Sequence, residues 1–548
     1  MRKALLAVLS AVIIMSAVPV SASSEKIQAA DNQGAYFGIF REGAPANMTL
    51  VKNLEGKLGT KFTSVMWYQD YSSLFNPDLA NKAIANGAIP HIVWEPWLWK
   101  DKEKIKLDNI NAGEWDAHIR EWAQDIKAWG KPVFIRWGHE FNIEGYPWCI
   151  VNNDRDPKKY VTAFRRVRNI FKREGANNAI FVWAPMNDSW PKEPWNDMHL
   201  AYPGDEYVDW IGLDGYNWGT SRDWSSWQSF KELFRDVARE MWRKHPTKPI
   251  MIAEFASANE GGDKAKWIED TFQDLKRMPY IKSLYWFDEK KETDWRIEAS
   301  PKTFASFKKM INDPYFIKDS ASLAKLMSGA PLKIVRKSAS AKYAARPLNI
   351  DGNLSDWADA KPLYMNQVSQ LQEGFSVWKG TKDLSGKIFV KWDNSNLYIA
   401  ADINDDMPLK NSKTKNNIWN GDAIELTIGL NPSADPGRDS FVKGDKQIGL
   451  GTGDGSKVKP SVWDWTSARA PEGSQIAVKT KPGGYTLEAK IPWASIGSLT
   501  PAAGMRLGFD CAIDDSDDGK SRTKQIVWNG DFMFYKDPGV WGVLELVK

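Results

Sequence analysis

The sequence predicts an α/β (β/α)8 barrel, the TIM-barrel class, followed by an all-β sandwich, and three observations carry that expectation. From about Gly34 to Phe316, short apolar runs rich in β-branched residues alternate with longer amphipathic stretches, the pattern of repeated βα units around a parallel sheet. Eight such runs occur, the number that closes a barrel. Beyond Leu348 the texture changes to short alternating runs broken by Gly, Asp, Asn and Pro, which is the texture of a sandwich.

The barrel runs are Ala35–Phe40, Thr63–Tyr68, Ile89–Trp94, Pro132–Trp137, Ala179–Ala184, Tyr207–Asp214, Pro249–Glu254 and Ile281–Phe287. Helical spacing of apolar residues at three and four predicts helices between them, among them Asp116–Trp129, Pro157–Arg173, Trp227–Lys244, Lys264–Met278 and Pro301–Ile311. Residues 317–347, rich in Ser, Ala, Lys and Pro, show no sustained strand pattern and are expected to be a linker with some helical character. The second domain, 348–548, is expected to build strands from Lys387–Trp392, Leu397–Ile403, Ala423–Ile428, Gln475–Thr480, Tyr485–Ile491, Arg506–Ile513 and Gly539–Val547.

At the start, Met1, Arg2 and Lys3 precede an apolar run from Ala4 to Val20 and the small residues Ser21-Ala22-Ser23, the layout of a secretory signal peptide over 1–22. Export to the extracellular space follows as an expectation, with a retained anchor as the alternative. No other stretch approaches the roughly 20 apolar residues of a membrane span, so no membrane partner is expected after signal removal. A formal charge of +4 with no long basic run gives no reason to expect nucleic acid. Cys149 and Cys511 fall in different predicted domains and read as free thiols, and a monomer is expected.

In a (β/α)8 barrel the functional groups sit at the carboxyl ends of the strands. The fourth run ends Arg136-Trp137-Gly138-His139-Glu140, and the seventh ends Ile252-Ala253-Glu254-Phe255. Two carboxyl groups facing each other across a barrel mouth are what glycosidic hydrolysis needs: one protonated to donate to the leaving oxygen, one ionised to attack or to activate water. A separation of about 5 to 5.5 Å gives retention, and roughly 6.5 to 9.5 Å gives inversion. The other reading of the pair is a salt bridge with a cation such as Arg136, and Asp214, Asp288 and Glu95 are further strand-end carboxylates. His-Glu also opens the zinc-protease signature, but Ile143 stands where its second histidine belongs, so no metal is expected in the barrel.

The chain carries 29 tryptophans, many beside hydrogen-bonding residues, as in Trp94-Glu95-Pro96-Trp97. Flat apolar rings beside polar groups suit sugars, whose faces are rich in C–H and whose edges are hydroxyls. For most of these tryptophans, core packing is the competing reading.

On the His139-Glu140 pair and the Ile252-Ala253-Glu254-Phe255 run, the segment from about Gly34 to Phe316 resembles glycoside hydrolase family 26. The resemblance implies Glu140 as acid/base and Glu254 as nucleophile, with retention. It also implies sugar contacts from His139, from Tyr216 oriented on the nucleophile, from Trp286 flooring the central subsite, and from the segment His91, Trp94, Glu95 and Trp97; Trp148 and Trp218 join them as mouth aromatics. β-1,4-Mannan is the family default, with mixed-linkage β-1,3-1,4-glucan or β-1,3-xylan as alternatives because the residues flanking His139-Glu140 depart from the mannanase form. A β-linked polysaccharide is the expected partner, and a non-catalytic glycan-binding protein is the reading from another class.

The segment from Leu348 to Lys548 resembles carbohydrate-binding module family 9, on Ile350-Asp351-Gly352-Asn353, Trp392-Asp393, Trp419-Asn420-Gly421-Asp422 and Tyr485-Thr486-Leu487-Glu488. That resemblance implies a clamp of two tryptophans around a sugar, with Trp419 and Trp528 as candidates, unless either is core. It also implies structural calcium, for which Asp514-Asp515-Ser516-Asp517-Asp518 offers oxygen ligands, unless the stretch is a solvated acidic loop. A tethered module of this kind raises local substrate concentration without altering the catalytic centre.

Overall fold

The computed structural model describes residues 34–101, 105–327, 336–430, 438–497 and 499–548, so the expected signal peptide lies outside the described residues. Eight strands form the barrel: β1 (Ala35–Arg41), β2 (Ser64–Asp70), β3 (Ile89–Glu95), β4 (Val133–Trp137), β5 (Ala179–Trp183), β6 (Trp210–Asn217), β7 (Ile250–Ser257) and β8 (Ile281–Asp288). They pair in parallel in chain order, and β1 closes the ring by pairing with both β2 and β8. Helices α1 (Thr49–Leu58), α2 (Pro77–Ala85), α3 (Leu107–Ala112), α4 (Asp116–Trp129), α5 (Pro157–Glu174), α6 (Phe230–Lys244), α7 (Lys264–Leu275) and α8 (Pro301–Ile311) follow the strands. The predicted strands and helices lie within a few residues of these bounds because the two hydrophobic periods are local properties of the chain.

Each barrel strand is apolar on both faces. Inward side chains, among them Tyr36, Met66, Val93, Phe134, Trp210, Met251 and Tyr285, fill the interior. Outward ones, among them Ile92, Trp94, Ile135, Leu213, Ile252, Leu284 and Trp286, pack under the helices. The alternation breaks at two places that matter. The β6–β7 register shifts between Leu213 and Asp214, and the β7–β8 register shifts between Ile252 and Phe255. Such an irregularity re-aims side chains. After inward Ala253, simple alternation would send Glu254 towards the helices; instead Phe255 goes there, against Phe37, Phe230 and Trp286, and Glu254 turns into the mouth.

Among the described residues of 317–347 the expected helical character is present, and the expectation of a linker is corrected. Phe316–Ile317 pairs with β1, and helix α9 (Ser320–Met327) lays Leu323 and Met327 against the inward-facing barrel residues. Ser338–Tyr343 is a strand of the second domain, parallel to Gly542–Val547 on one side and Leu384–Trp392 on the other. Its sequence, Ser-Ala-Ser-Ala-Lys-Tyr, has no bulky apolar alternation, so it is a strand only because both neighbours hydrogen-bond to it. Around it the sandwich closes on Ile388, Val390, Ile399, Leu426, Leu487, Phe509 and Leu544.

The sandwich is also not freely tethered. Helix α6 opens with a capping box of Ser229 and Glu232 and buries Phe230, Leu233, Phe234, Ala238 and Met241 towards the barrel. Its arginines at four-residue spacing line another face and meet the sandwich. Arg235 lies 4.1 Å from the Phe532 ring centre, Arg239 binds Asp531 at 2.6 Å and Asp537 at 2.5 Å, and Arg243 reaches Asp537 at 3.0 Å. Asp537 is buried, so these are desolvated pairs that hold the two domains together in one orientation.

Candidate active site

The carboxylate of Glu254 is the most heavily bonded group in the barrel mouth. Oε1 accepts from the Tyr68 hydroxyl at 2.6 Å and from the Arg136 guanidinium, and Oε2 accepts from the Tyr216 hydroxyl at 2.5 Å. The other arm of Arg136 donates to Asp214 Oδ1 at 2.7 Å. Arg136 and Asp214 are fully buried, and one guanidinium shared by two carboxylates is the arrangement that lets both stay in so dry a place. The competing reading of a salt bridge with Arg136 is therefore present as geometry, and it holds Glu254 in position.

Glu140 has the opposite surroundings. Its backbone sits at φ +52°, in the left-handed region that costs a non-glycine residue about 1 kcal/mol or more. Three bonds keep it there: its N–H donates to the Ala184 carbonyl at 2.8 Å, and its carbonyl accepts from the Ile143 N–H and from the buried Cys149 thiol, each at 3.3 Å. Among the described residues its carboxyl group accepts no hydrogen bond, and burial, followed by the negative charge of Glu254, pushes it up to about 8.

Glu95, at the end of β3, is a third carboxyl group in the mouth. Its Oε2 accepts from the indole N–H groups of Trp97 at 2.9 Å and Trp99 at 2.6 Å, and burial above all pushes it up to about 7. His139 is buried and held neutral, first by desolvation and then by Arg136, with Tyr146 at 5.0 Å and Tyr68 at 6.0 Å between ring centres. Asp288 leaves this group: it accepts from Arg41 at 2.5 Å and from the Ile297 N–H at 2.7 Å, which ties down the loop after β8.

Residues 101–320 match the model of glycosyl hydrolase family 26. This segment is a family 26 domain. Residues 350–548 match the carbohydrate family 9 binding domain-like model. Among similar proteins, endoglucanase H of Acetivibrio thermocellus is 32% identical over 374 residues, 67% of this chain and 40% of that protein. A β-1,3-xylanase of a Vibrio species is 23% identical over 245 residues, 40% of this chain and 52% of its own. The chain thus spans about half the length, or less, of these relatives. A family 26 β-mannanase structure from Bacteroides ovatus matches at a TM-score of 0.41 and 18% identity, covering 52% of this chain and 91% of that one.

Within the family 26 barrel, three expected sugar contacts are corrected. Trp286 is fully buried on the helix side, against Phe255, Trp267 and Phe307, with its N–H donating to the Trp295 carbonyl. Its neighbour Phe287 faces the mouth instead, 5.8 Å from Tyr216, so the sequence reading was one residue out of phase. Trp94 also points outward and stacks on Trp122 at 4.3 Å. His91 points inward but lies a layer below the mouth, fully buried between Phe134 and Tyr285.

The other expected contacts stay at the mouth with altered emphasis. Trp97 is half-buried and edge-on to Tyr146 and Trp148. Trp148 is buried because Tyr146 stacks on its face at 4.5 Å, so Tyr146 presents the more open ring. Trp218 is half-buried, edge-on to Trp295 at 4.9 Å, and Trp295 in turn lies 5.1 Å from Tyr216. Sequence reasoning missed Tyr68, Tyr146 and Trp295. Tyr68 had a usable signal, since it closes the second predicted run; Trp295 lies in a loop and had none.

In the sandwich, Trp528 is corrected to a core residue: it packs 6.2 Å from Phe509, and a Cβ on Gly542 would lie 2.5 Å from its ring. Trp419 is 37% exposed with the Arg522 guanidinium 5.0 Å from its ring centre. Arg522 also meets Asp514 at 3.0 Å and Glu373 at 2.8 Å, and Gln447 and Gln525 both donate to Glu425 beside it. The acidic stretch divides. Asp514 serves Arg522, Asp518 caps its own turn, and Asp515 converges with Asp405 and Asp422, all three buried and with carboxylate oxygens within 4.8 Å of one another. Lys524 sits beside them, binding Asp515 at 2.6 Å and Asp383 at 3.0 Å.

Proposed function

We propose that the chain is an exported, retaining endo-β-glycanase in which Glu254 is the nucleophile and Glu140 the acid/base. The carrying observation is the asymmetry of the two glutamates: one surrounded by three donors, the other dry and without one. Donors stabilise the charge of the attacking group, and burial keeps the proton on the donating group. Glu254 attacks the anomeric carbon while Glu140 protonates the departing oxygen; Glu140, now ionised, then takes a proton from the water that releases the sugar. Neutral His139 and Tyr146 lie beside Glu140 without adding charge, so its proton is not drawn off.

For the polymer, we favour β-glucan over the mannan default, because the likeness to an endoglucanase extends over 67% of this chain. Incubation with mixed-linkage β-glucan, carboxymethylcellulose, glucomannan, galactomannan and β-1,3-xylan, with product sizing and anomer analysis by NMR, tests both parts. Preferred cleavage of galactomannan would return the mannan reading, and release of the inverted anomer would reject the double displacement.

The pH profile follows from Glu140. Its proton must be present for the first step, so kcat/KM should hold up to near neutrality and fall as pH rises through about 8. An alkaline limb that is unchanged in Glu140→Gln would assign that limb to another group.

The sandwich offers a polysaccharide-binding patch at Trp419, and its buried acidic triad suits calcium. Asp405, Asp422 and Asp515 are each pushed up to about 7, chiefly by burial and by one another or neighbouring aspartates, and hard oxygen ligands around a divalent cation would relieve that repulsion. We expect EDTA to lower the melting temperature by several degrees and added calcium to restore it. Superimposable melts with and without chelator would count against the ion.

A further inference from the structure

Two of the most exposed large aromatic side chains in the chain are Trp99, 48% exposed, and Trp224, 71% exposed. Both lie in loops that follow barrel strands at the catalytic face, Trp99 after β3 and Trp224 after β6, which stand on opposed sides of the ring. Neither is a loose side chain on a loose loop. Trp99 donates its indole N–H to Glu95 at 2.6 Å and its backbone N–H to the buried Asp70 carboxylate at 2.8 Å. The indole bond engages the ring's edge, and the side chain stays largely exposed. The loop bearing Trp224 is pinned by Ser221 to the Trp218 carbonyl at 2.6 Å and by Ser225 to the Gly219 carbonyl at 2.5 Å.

Trp224 ends a run of aromatic rings in contact that begins beside Glu254, and Trp99 is joined through the Glu95 carboxylate to the rings beside His139. From Glu254 the path runs to Tyr216, then to Trp295 and Trp218, and then to Trp224, 5.4 Å from Trp218. On the other side His139 leads to Tyr146, Tyr146 to Trp97, and Trp97 shares the Glu95 oxygen with Trp99. An exposed indole loses the favourable burial of its large apolar face, so two held open on opposed sides of the mouth, each tied back towards the glutamates, point to a ligand that covers them. A flat ring with a polar edge partner matches a pyranose, whose C–H face stacks while its hydroxyls reach neighbouring carboxylates.

We propose that Trp99 and Trp224 are the outer sugar platforms at the two ends of one groove crossing the barrel mouth, so that an internal stretch of a β-linked hexopyranose chain lies over both glutamates. This rests on the hydrolase reading above and deepens it: the bond cut is one with sugars bound on either side. The Glu95 oxygen to which no described residue donates is the one offered to a sugar hydroxyl.

The test uses the full chain and its Trp99→Ala, Trp224→Ala, Trp99→Phe and Trp224→Phe variants with trisaccharides and hexasaccharides of mixed-linkage β-glucan and of β-1,4-mannan. Each Ala variant should lose about tenfold in kcat/KM on the hexasaccharide, carried by KM, with a several-fold smaller loss on the trisaccharide, and the Phe variants should recover most of it. Calorimetry with the same sugars keeps the two readings apart. A wild-type chain without turnover would sink the hydrolase reading, whereas undiminished hexasaccharide affinity in both Ala variants, or equal losses at both lengths, would overturn the platforms.

Discussion

Replacing Glu254 by Ala should lower kcat on the preferred polysaccharide by about 10^4-fold or more, the scale seen when a covalent nucleophile is deleted. No neighbouring group can take over. Asp214 is fully buried and engaged by Arg136, and Glu95 has one oxygen committed to two indoles. Folding should survive the substitution, because Arg136 keeps Asp214 as its partner and the Tyr68 and Tyr216 hydroxyls can turn to water in the mouth. A full-length variant with an unchanged melting profile and residual turnover above a hundredth of wild type would refute the assignment.

The Arg136→Met substitution should cost about 3–5 kcal/mol of stability, read as a lower urea midpoint. The guanidinium bridges the Asp214 and Glu254 carboxyl groups at the end of the barrel interior, and methionine leaves both groups buried without that partner. Desolvation already raises Asp214 well above the usual carboxylate range, with Arg136 the main influence opposing it. Removing Arg136 raises it further, so at acid pH, where the carboxyl groups of the variant are protonated, the difference from wild type should shrink. A constant difference across pH would mean that the loss is one of packing alone. Activity should fall as well, since Glu254 would lose one of its three donors.

Much of this was legible in the sequence because it is local. The strand and helix periods, the strand-closing positions of Glu140, Glu254 and Glu95, and the change of texture into the sandwich are all written within windows of a few residues. The residues misread were misread for one reason. A barrel strand is apolar on both faces, so the alternation that tells inside from outside in a half-exposed strand is missing, and the sequence cannot say whether Trp286 or Phe287 faces the mouth. Trp94 and Trp528 failed in the same way: each stands beside polar residues in the chain, and each is buried among apolar ones in space.

The sequence by itself determined the class of both domains and the strand-end positions of Glu140 and Glu254, since period and strand-end position are properties of neighbouring residues. Only the tertiary structure decided that a register shift in β7 turns Glu254 inward, that Tyr68 and Arg136 meet it there, that Asp405, Asp422 and Asp515 converge, and that α6 holds the sandwich through Arg239 and Asp537. Those contacts join residues tens to hundreds of positions apart, and the strength of a hydrogen bond or a charge pair depends on separation in space and on desolvation, neither of which the order of residues along a chain records.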